Sequence, residues 1–219
     1  FNAPYEVADA LAETGFDVIL HGTNHAMDQG KKGITNCLSN WEKKYPDIKI
    51  LGINKSQDAQ DSVTVLEQNG IKIAVLNYTY GLNGIALPSD MPYAVNLLDE
   101  EKVKADIASA KEQSDFVIVC PHWGTEYRTT ANEEQKELSN FLFQNGVNII
   151  IGNHPHVIEP FETREVTMPD GTTKQCSSII LLEISSTGHP AAVMELQTVW
   201  WEAWQRSQLD LMRLARDLL

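Results

Sequence analysis

Short apolar runs alternate with longer amphipathic stretches along most of the chain. Four runs have the length and the branched side chains of buried strands, and they occupy positions 16–20, 48–52, 115–120 and 147–151. Four longer stretches carry apolar residues at helical spacing, and they occupy positions 5–13, 32–45, 99–113 and 132–144. This alternation predicts an α/β fold in which helices cover the faces of a sheet.

Two turn sequences and one irregular segment complete the pattern. Asn69-Gly70 and the run 169–171 each separate two apolar segments, and Asn-Gly in particular favours the tight turn of an antiparallel hairpin. The segment 79–92 contains four Gly or Pro residues and shows no clear period. We therefore predict two hairpins and an irregular loop that runs over the surface.

The composition limits the class of protein. A chain of 219 residues, 42% of them hydrophobic, can bury the core of one α/β domain, and its net charge of −13 argues against nucleic acid as a partner. Cys37, Cys120 and Cys176 are too widely spaced for a thiolate metal site or a disulfide framework. No apolar run approaches the ~20 residues of a membrane-spanning helix.

The candidate chemistry lies where apolar runs end. His154 and His156 follow the run 147–151 and are separated by Pro155. In an extended loop, residues two apart point the same way, and Pro155 favours an extended conformation at His154. Both imidazoles can therefore reach one centre. Taken alone, this short motif is equally consistent with two surface histidines on a turn.

Two other apolar runs end in the same kind of loop. Asn24 and His25 follow the run 16–20, and His122 follows the run 115–120. If the three strands are neighbours in one sheet, their loops lie at one rim, where open α/β sheets bind ligands. Imidazole and carboxamide groups at that rim suit Zn, Mn or Fe better than Ca or Mg.

Each of these residues also has an explanation that involves no metal. His25 could cap a helix, and His122 could pack in the core beside Trp123. His21 and His189 lack this context, and we expect both to be ordinary surface histidines. The coincidence of three such loops, rather than any single residue, favours a metal site.

Three sequence motifs resemble a known family. They read Asn-His-Ala-Met-Asp-Gln-Gly at 24–30, His-Trp-Gly-Thr-Glu-Tyr at 122–127 and Gly-Asn-His-Pro-His-Val at 152–157. In this order they resemble the bacterial capsule-synthesis family (CapA-type, poly-γ-glutamate synthesis), which belongs to the calcineurin-like metallophosphoesterase superfamily. The resemblance covers residues 1–175 and implies a layered α/β sandwich of the metallophosphoesterase-like fold.

The resemblance also implies a dinuclear site of Mn, Zn or Fe. In such a site, Asn24, His122 and His154 look like ligands of one ion, and His156 looks like a ligand of the other. His25 looks like the catalytic acid that protonates the leaving oxygen. Two ions held ~3.5–4 Å apart clamp a phosphoryl group and supply a hydroxide nucleophile.

Two acidic residues of these motifs have supporting roles in this interpretation. Glu126 could accept the remaining N–H of His122 and hold that ring from behind, or it could be a solvated loop carboxylate. Asp28 is expected to cap the helix that follows it rather than to bind metal. Neither residue is predicted to be a direct ligand.

The resemblance implies a role in the cell envelope. It implies a protein of capsule or poly-γ-glutamate synthesis that is anchored in the membrane by a segment ahead of this chain, with its domain outside the cell. One function that fits is a metal-dependent hydrolase acting on a phosphoester or a related bond. The other is a non-catalytic protein that handles or assembles an anionic polymer and retains part of the metal site.

The chain departs from the family pattern at its start. The family has a strand ending in Gly-Asp and a later acidic ligand, both ahead of the position where this chain begins. Carboxylates supply the charge that holds two cations close together. We therefore expect a domain truncated at its N-terminus, which binds metal weakly and is inactive by itself.

The chain also departs from the pattern over residues 176–219. The family continues there with Tyr-Ser-Leu-Gly-Asn-Phe, which this chain yields only when its codons are read from the third base of the Cys176 codon. We hypothesise a frameshift near 173–176 that makes 176–219 a non-native tail, which sequencing of the encoding DNA tests. A genuinely divergent tail is the alternative.

The end of this tail is predicted to be an aberrant helix over 191–219. It carries Trp200, Trp201 and Trp204. An aromatic patch with nothing to pack against favours self-association, so a second copy of the chain is a further expected partner.

Overall fold

The computed structural model describes residues 1–169 and 171–180 of the chain. These residues form five helices, which are α1 (Glu6–Thr14), α2 (Gly30–Lys44), α3 (Gln57–Asp61), α4 (Glu100–Gln113) and α5 (Glu133–Asn145). They also form eight strands, which are β1 (Val18–Leu20), β2 (Lys49–Leu51), β3 (Thr64–Gln68), β4 (Ile71–Thr79), β5 (Phe116–His122), β6 (Ile149–Gly152), β7 (Glu162–Thr167) and β8 (Thr173–Ile180). The predicted tail helix and its three tryptophans lie outside the described residues.

The strands form two sheets. β1 and β2 pair in parallel as a small sheet, whereas the other six strands form a larger sheet with the order β3-β4-β5-β6-β8-β7. Neighbours are parallel from β4 to β8, and a hairpin adds an antiparallel strand at each edge. The predicted α/β class and both predicted hairpins are therefore confirmed.

The two sheets pack face to face, which corrects one prediction. Leu51 of β2 packs against Val75 of β4 and Cys120 of β5 between the two layers. The condition that all three strands are neighbours in one sheet is met only in part: β5 and β6 are neighbours, but β1 belongs to the small sheet. An apolar run indicates burial but not the partner strand. The loops that follow these three strands still meet, since the layers bring their carboxyl ends to the same side.

A buried amide joins the two layers. Asn77 in β4 accepts a hydrogen bond from the Gly22 backbone N–H at 2.7 Å, and its Nδ2 donates to the Cys120 carbonyl at 2.8 Å. This contact requires glycine at position 52, since a Cβ there would lie 2.2 Å from Asn77 Oδ1. Asn77 thereby positions the loop after β1 relative to the end of β5.

Helices cover the outer faces of both sheets. Val103 and Ile107 of α4 are buried in one cluster with Leu142 and Phe143 of α5, against the larger sheet. Ile34 of α2 is buried in a second cluster beside the small sheet. The result is a layered sandwich in which apolar side chains fill the spaces between helix and sheet and between the two sheets.

The segment 79–92 is irregular, as predicted, but it does not simply run over the surface. Leu82 and Met91 are buried in the same cluster as Ile34 and Val95. The burial of Leu82 and Met91 could not be predicted from the sequence, because apolar residues without a regular period give no pattern to interpret. The loop is therefore fixed against the core at two points.

His21 is a partly buried residue rather than the surface histidine that the sequence suggests. Its Nε2 accepts a hydrogen bond from Trp41 Nε1 at 3.1 Å and lies 3.6 Å from Cys37 Sγ. Burial disfavours the charged ring and lowers the pKa of His21 to about 4. His189 lies outside the described residues.

Gly52→Ala is expected to lower the free energy of unfolding by about 3 kcal/mol or more, because the added methyl group meets both Asn77 Oδ1 and the Gly22 backbone nitrogen, each at 2.2 Å. Gly70→Ala is the matched control, since Gly70 also has a positive φ but a Cβ there would meet open space. It is expected to cost about 1 kcal/mol. Denaturant unfolding measures both values, and equal losses would contradict the close approach of Asn77 and the Gly22 backbone to Gly52.

The protein is expected to lose stability as the pH is lowered from about 6.5 to about 4. The pKa of His21 is lower in the folded chain, so the unfolded chain binds the extra proton in this range, and protonation would remove the acceptor for Trp41. His21→Asn is expected to reduce this pH dependence by on the order of 1–3 kcal/mol. The free energy of unfolding of both proteins, measured at pH 7 and at pH 4, tests this prediction. An equal loss between the two pH values in both proteins would contradict the assignment to His21.

Candidate metal centre

The loops that follow β5 and β6 are joined by backbone hydrogen bonds. The Trp123 N–H donates to the Asn153 carbonyl at 3.0 Å, and the Asn153 N–H donates to the Pro121 carbonyl at 2.9 Å. Further along, the Tyr127 N–H donates to the Pro155 carbonyl at 2.7 Å. The two loops are therefore held side by side.

Asn24 and His122 meet across the two layers. Asn24 Oδ1 lies 3.0 Å from His122 Nε2, and both side chains are buried. Two ligand atoms that each lie ~2.1 Å from one metal ion, at a right angle, are about 3 Å apart. Burial, reinforced by the neighbouring histidines, lowers the pKa of His122 to about 3. The ring is therefore neutral at physiological pH, as a metal ligand must be.

His154 and His156 have strained backbone conformations. Their φ angles are 101° and 58°, in the region that favours glycine. The extended conformation predicted for His154 is therefore wrong, and the two rings converge through these unusual angles instead. The ring centroid of His154 lies 4.8 Å from that of His122 and 5.7 Å from that of His156. Strain of this kind costs about 1–3 kcal/mol per residue and is concentrated at functional sites.

His154 also has a buried polar atom without a partner. Its Nδ1 is shielded from solvent and makes no hydrogen bond within the described residues. Burial lowers the pKa of the ring, although the carboxylate of Glu126 acts in the opposite direction. An unpaired buried nitrogen costs about 1–3 kcal/mol, and a bound cation would remove that cost.

Glu126 brings a carboxylate to the same region. Its Oε1 lies 3.8 Å from His156 Nε2, and one ligand-type atom from each of Glu126, His154 and His156 lies within 4.8 Å of the others. The sequence left two alternatives for Glu126, a support for His122 or a solvated loop carboxylate, whereas in the structure its carboxylate lies towards His156. This geometry makes Glu126 a candidate ligand in its own right.

His25 lies on the exposed side of the site, where it is paired with Asp28. His25 Nδ1 lies 2.8 Å from Asp28 Oδ2. The prediction that Asp28 caps a helix is wrong, because α2 is preceded by Gln29, which makes no capping hydrogen bond. When Nδ1–H donates to this carboxylate, Nε2 is the nitrogen left to exchange a proton with a ligand.

Tyr80 and Asn83 belong to the site although none of the three motifs contains them. Asn24 Nδ2 lies 3.4 Å from Tyr80 Oη and 3.2 Å from Asn83 Oδ1. The Tyr80 ring centroid lies 4.9 Å from that of His154. Tyr80 directly follows β4, which is parallel to β5. The expectation that polar residues at the carboxyl ends of parallel strands form the site, which identified His122, could therefore have identified Tyr80 as well. Asn83 lies within the irregular loop and has no comparable signal.

A buried polar group supports these loops from behind. The Asn132 N–H donates to Gln135 Oε1 at 2.9 Å at the start of α5, and Gln135 Nε2 donates to Glu159 at 3.2 Å. A Cβ at Gly124 would lie 2.8 Å from Gln135 Nε2, so the loop after β5 needs glycine where it passes. Burial raises the pKa of Glu159. Gln135 thereby links α5 to both loops.

The residues present fit divalent first-row metals. Asn24 and His122 are in contact, and the His122 ring lies next to the His154 ring. Glu126 and His156 form a second group of donor atoms together with His154. Neutral imidazoles with a carboxamide and a carboxylate form a donor set suited to Mn, Fe or Zn. The predicted residues Asn24, His122, His154 and His156 are therefore close together, with His25 at their exposed edge.

The chain is similar to proteins of bacterial capsule synthesis. Residues 1–173 match the profile of the family described as bacterial capsule synthesis protein PGA_cap. The chain is 35% identical over 164 residues to the PGA biosynthesis protein CapA of Bacillus subtilis (strain 168) and 28% identical over 166 residues to the capsule biosynthesis protein CapA of Bacillus anthracis. Each match covers 74% of this chain, but only 43% and 40% of the two relatives.

The fold is similar to that of a solved nucleotidase. The Haemophilus influenzae NAD nucleotidase (NadN) superposes with a TM-score of 0.53 and 16% identity, over 81% of this chain and 36% of that chain. At this level of identity the likeness concerns the fold alone, which is of the metallophosphoesterase type. Within the part of the chain that the structure describes, every helix is too short or too polar to cross a membrane.

Glu126→Gln is expected to weaken Mn²⁺ binding by about 10-fold or more, because it removes the carboxylate charge facing His156. Glu133→Gln is the matched control, since Glu133 is an exposed carboxylate that pairs with Lys136. A Mn²⁺ titration followed by electron paramagnetic resonance of the free ion measures both affinities. Equal affinities in the two variants would identify Glu126 as a solvated loop carboxylate.

Proposed function

Because the chain belongs to the bacterial capsule synthesis protein family PGA_cap, we propose that it forms the divalent-metal centre of a capsule biosynthesis protein and that this centre hydrolyses a phosphoester or a related bond. The chain spans less than half the length of the two curated relatives, so the activity, substrate and cellular location are all part of this proposal.

One observation carries the proposal. Side chains from three loops and both sheets converge on a small volume in which the buried Nδ1 of His154 has no hydrogen-bond partner among the described residues. A fold maintained only for its shape would gain stability from an apolar residue at this position. The unpaired nitrogen, together with strained backbone at His154 and His156, supports a site kept for a ligand.

The side chains divide into two groups that would each hold a cation. Asn24, His122 and His154 would hold one, and Glu126 and His156 would hold the other. Bound divalent metal would supply positive charge to a phosphoryl group and lower the pKa of a bound water. The low pKa of His122 keeps that ring neutral and ready to bind without first losing a proton.

His25 is suited to proton transfer at the edge of this centre. Asp28 accepts from Nδ1 and holds the ring in one orientation, which leaves Nε2 towards the exposed side. A proton on Nε2 can pass to the leaving oxygen of a substrate as its bond breaks. The His25 side chain is solvent-accessible, so a substrate can reach it without movement of the core.

The negative net charge of the chain affects how an anionic substrate could bind. A net charge of −13 repels an anionic polymer or a phosphoester in the absence of metal, so attraction would depend on the bound cations. The same charge disfavours nucleic acid. The family match, rather than the charge, supports an anionic envelope polymer or a phosphoester as the proposed substrate class, with the protein acting at the cell envelope.

A non-catalytic role in polymer handling is the second candidate. Among the described residues, the group of donor atoms around His154 and His156 contains a single carboxylate, that of Glu126. Two cations held close together need more negative charge than one carboxylate provides. This favours a site that binds metal and an anionic polymer without turnover.

An assay with a generic phosphodiester separates the two functions. The full-length protein, purified with Mn²⁺, is expected to hydrolyse bis(p-nitrophenyl) phosphate. His25→Ala is expected to lower kcat by about 10²-fold or more with little change in Mn²⁺ affinity, whereas His154→Ala is expected to lose Mn²⁺ binding. Tight Mn²⁺ binding without turnover would favour polymer handling, and the absence of Mn²⁺ binding would overturn both functions.

A further inference from the structure

Tyr127 adopts a backbone conformation that is unfavourable for its side chain. Its φ is 62°, in the left-handed region, where a bulky aromatic residue is a rare exception. Such a conformation destabilises the fold and persists only where the surrounding structure imposes it. Glycine would adopt the same φ without strain. The backbone conformation therefore gives no reason for tyrosine at this position.

The contact that fixes this part of the loop does not need the tyrosine ring. The Tyr127 N–H donates to the Pro155 carbonyl at 2.7 Å, and every residue except proline supplies such an N–H. The residue is 71% exposed, so burial of its ring adds little to the stability of the fold. The use of this ring therefore lies on its solvent side.

The ring lies beside one of the candidate ligands. Its centroid is 5.7 Å from that of His156, and the two ring planes are 29° apart. The preceding residue, Glu126, places Oε1 3.8 Å from His156 Nε2. One part of the Tyr127 ring thus packs against His156, and the exposed part borders the mouth of the site. A group bonded to a phosphoryl held at these donors would meet this ring.

We propose that Tyr127 is a substrate-contacting residue that gives the site a preference for phosphoryl groups carrying a ring, which is either aromatic or saturated as in a sugar. Aromatic side chains bind other rings by stacking and edge contacts. This contact needs no charge, so the net charge of −13 does not oppose it. The inference rests on the phosphoester hydrolysis proposed above and adds the chemical class of the group next to the phosphoryl.

Binding of three phosphonates to the full-length protein in the presence of Mn²⁺ tests this inference. Phenylphosphonate, cyclohexylphosphonate and methylphosphonate share one anionic head group, and their P–C bonds resist hydrolysis. The wild type is expected to bind at least one of the two ring compounds about 10-fold more tightly than methylphosphonate. Isothermal titration calorimetry measures each Kd, and the readout is the ratio to methylphosphonate. This ratio, compared between variants, cancels changes that affect every ligand equally.

Three variants separate the ring from the loop that carries it. Tyr127→Gly removes the ring and is expected to reduce the preference to less than about twofold, with the Kd for Mn²⁺ and the Tm maintained. Tyr127→Phe keeps the ring and is expected to keep the preference. Phe16→Ala is the matched control, because Phe16 is also an exposed aromatic residue but precedes β1, whereas the site follows it.

The outcomes are distinct. A preference that Tyr127→Gly loses, and that Tyr127→Phe and Phe16→Ala keep, supports the inference. If phenylphosphonate binds more tightly than cyclohexylphosphonate, the bound ring is aromatic, and equal or weaker binding indicates a saturated ring.

A preference that survives in Tyr127→Gly would overturn the inference. Equal weakening of all three phosphonates, together with weaker Mn²⁺ binding, would also overturn it, because the ring would then only hold His156 in place. A wild type that binds Mn²⁺ but shows no preference refutes the inference and leaves the metal centre standing. A wild type that binds no Mn²⁺ refutes the proposed metal centre as well.

Discussion

The site depends on the contact between the two sheets at Asn77. This buried side chain accepts from the backbone of Gly22 in one layer and donates to the backbone of Cys120 in its own layer. Without that register, Asn24 and His122 would belong to separate parts of the molecule. A single amide, with glycine opposite it at positions 22 and 52, thus converts two separate strand ends into one site.

The fold could be predicted from the sequence where local chemistry decides it. Asn69-Gly70 permits one kind of turn, and the apolar runs before His122 and His154 have the composition of buried strands. The assignment of β1 to a second sheet could not be predicted, because pairing is decided by long-range packing. The burial of Leu82 depends equally on distant partners.

Part of the candidate site could likewise be predicted from the sequence, and part could not. Asn24, His122, His154 and His156 stand beside recognisable strand ends, so their convergence could be predicted, and the family match supports the motifs that contain them. The surroundings of Glu126, Asp28 and Asn83 are decided by loop geometry that has no period. Asp28 illustrates this difficulty: its place before a helix suggested a cap, yet its carboxylate holds His25.

The left-handed backbone at His154 and His156 lowers the stability of the fold while it places two donor atoms in the site. Glycine at either position would relieve the strain and would also delete a donor atom. Selection for heat resistance alone would therefore favour replacing these histidines. Their presence fits a chain that gives up some stability to keep both donor atoms in one place.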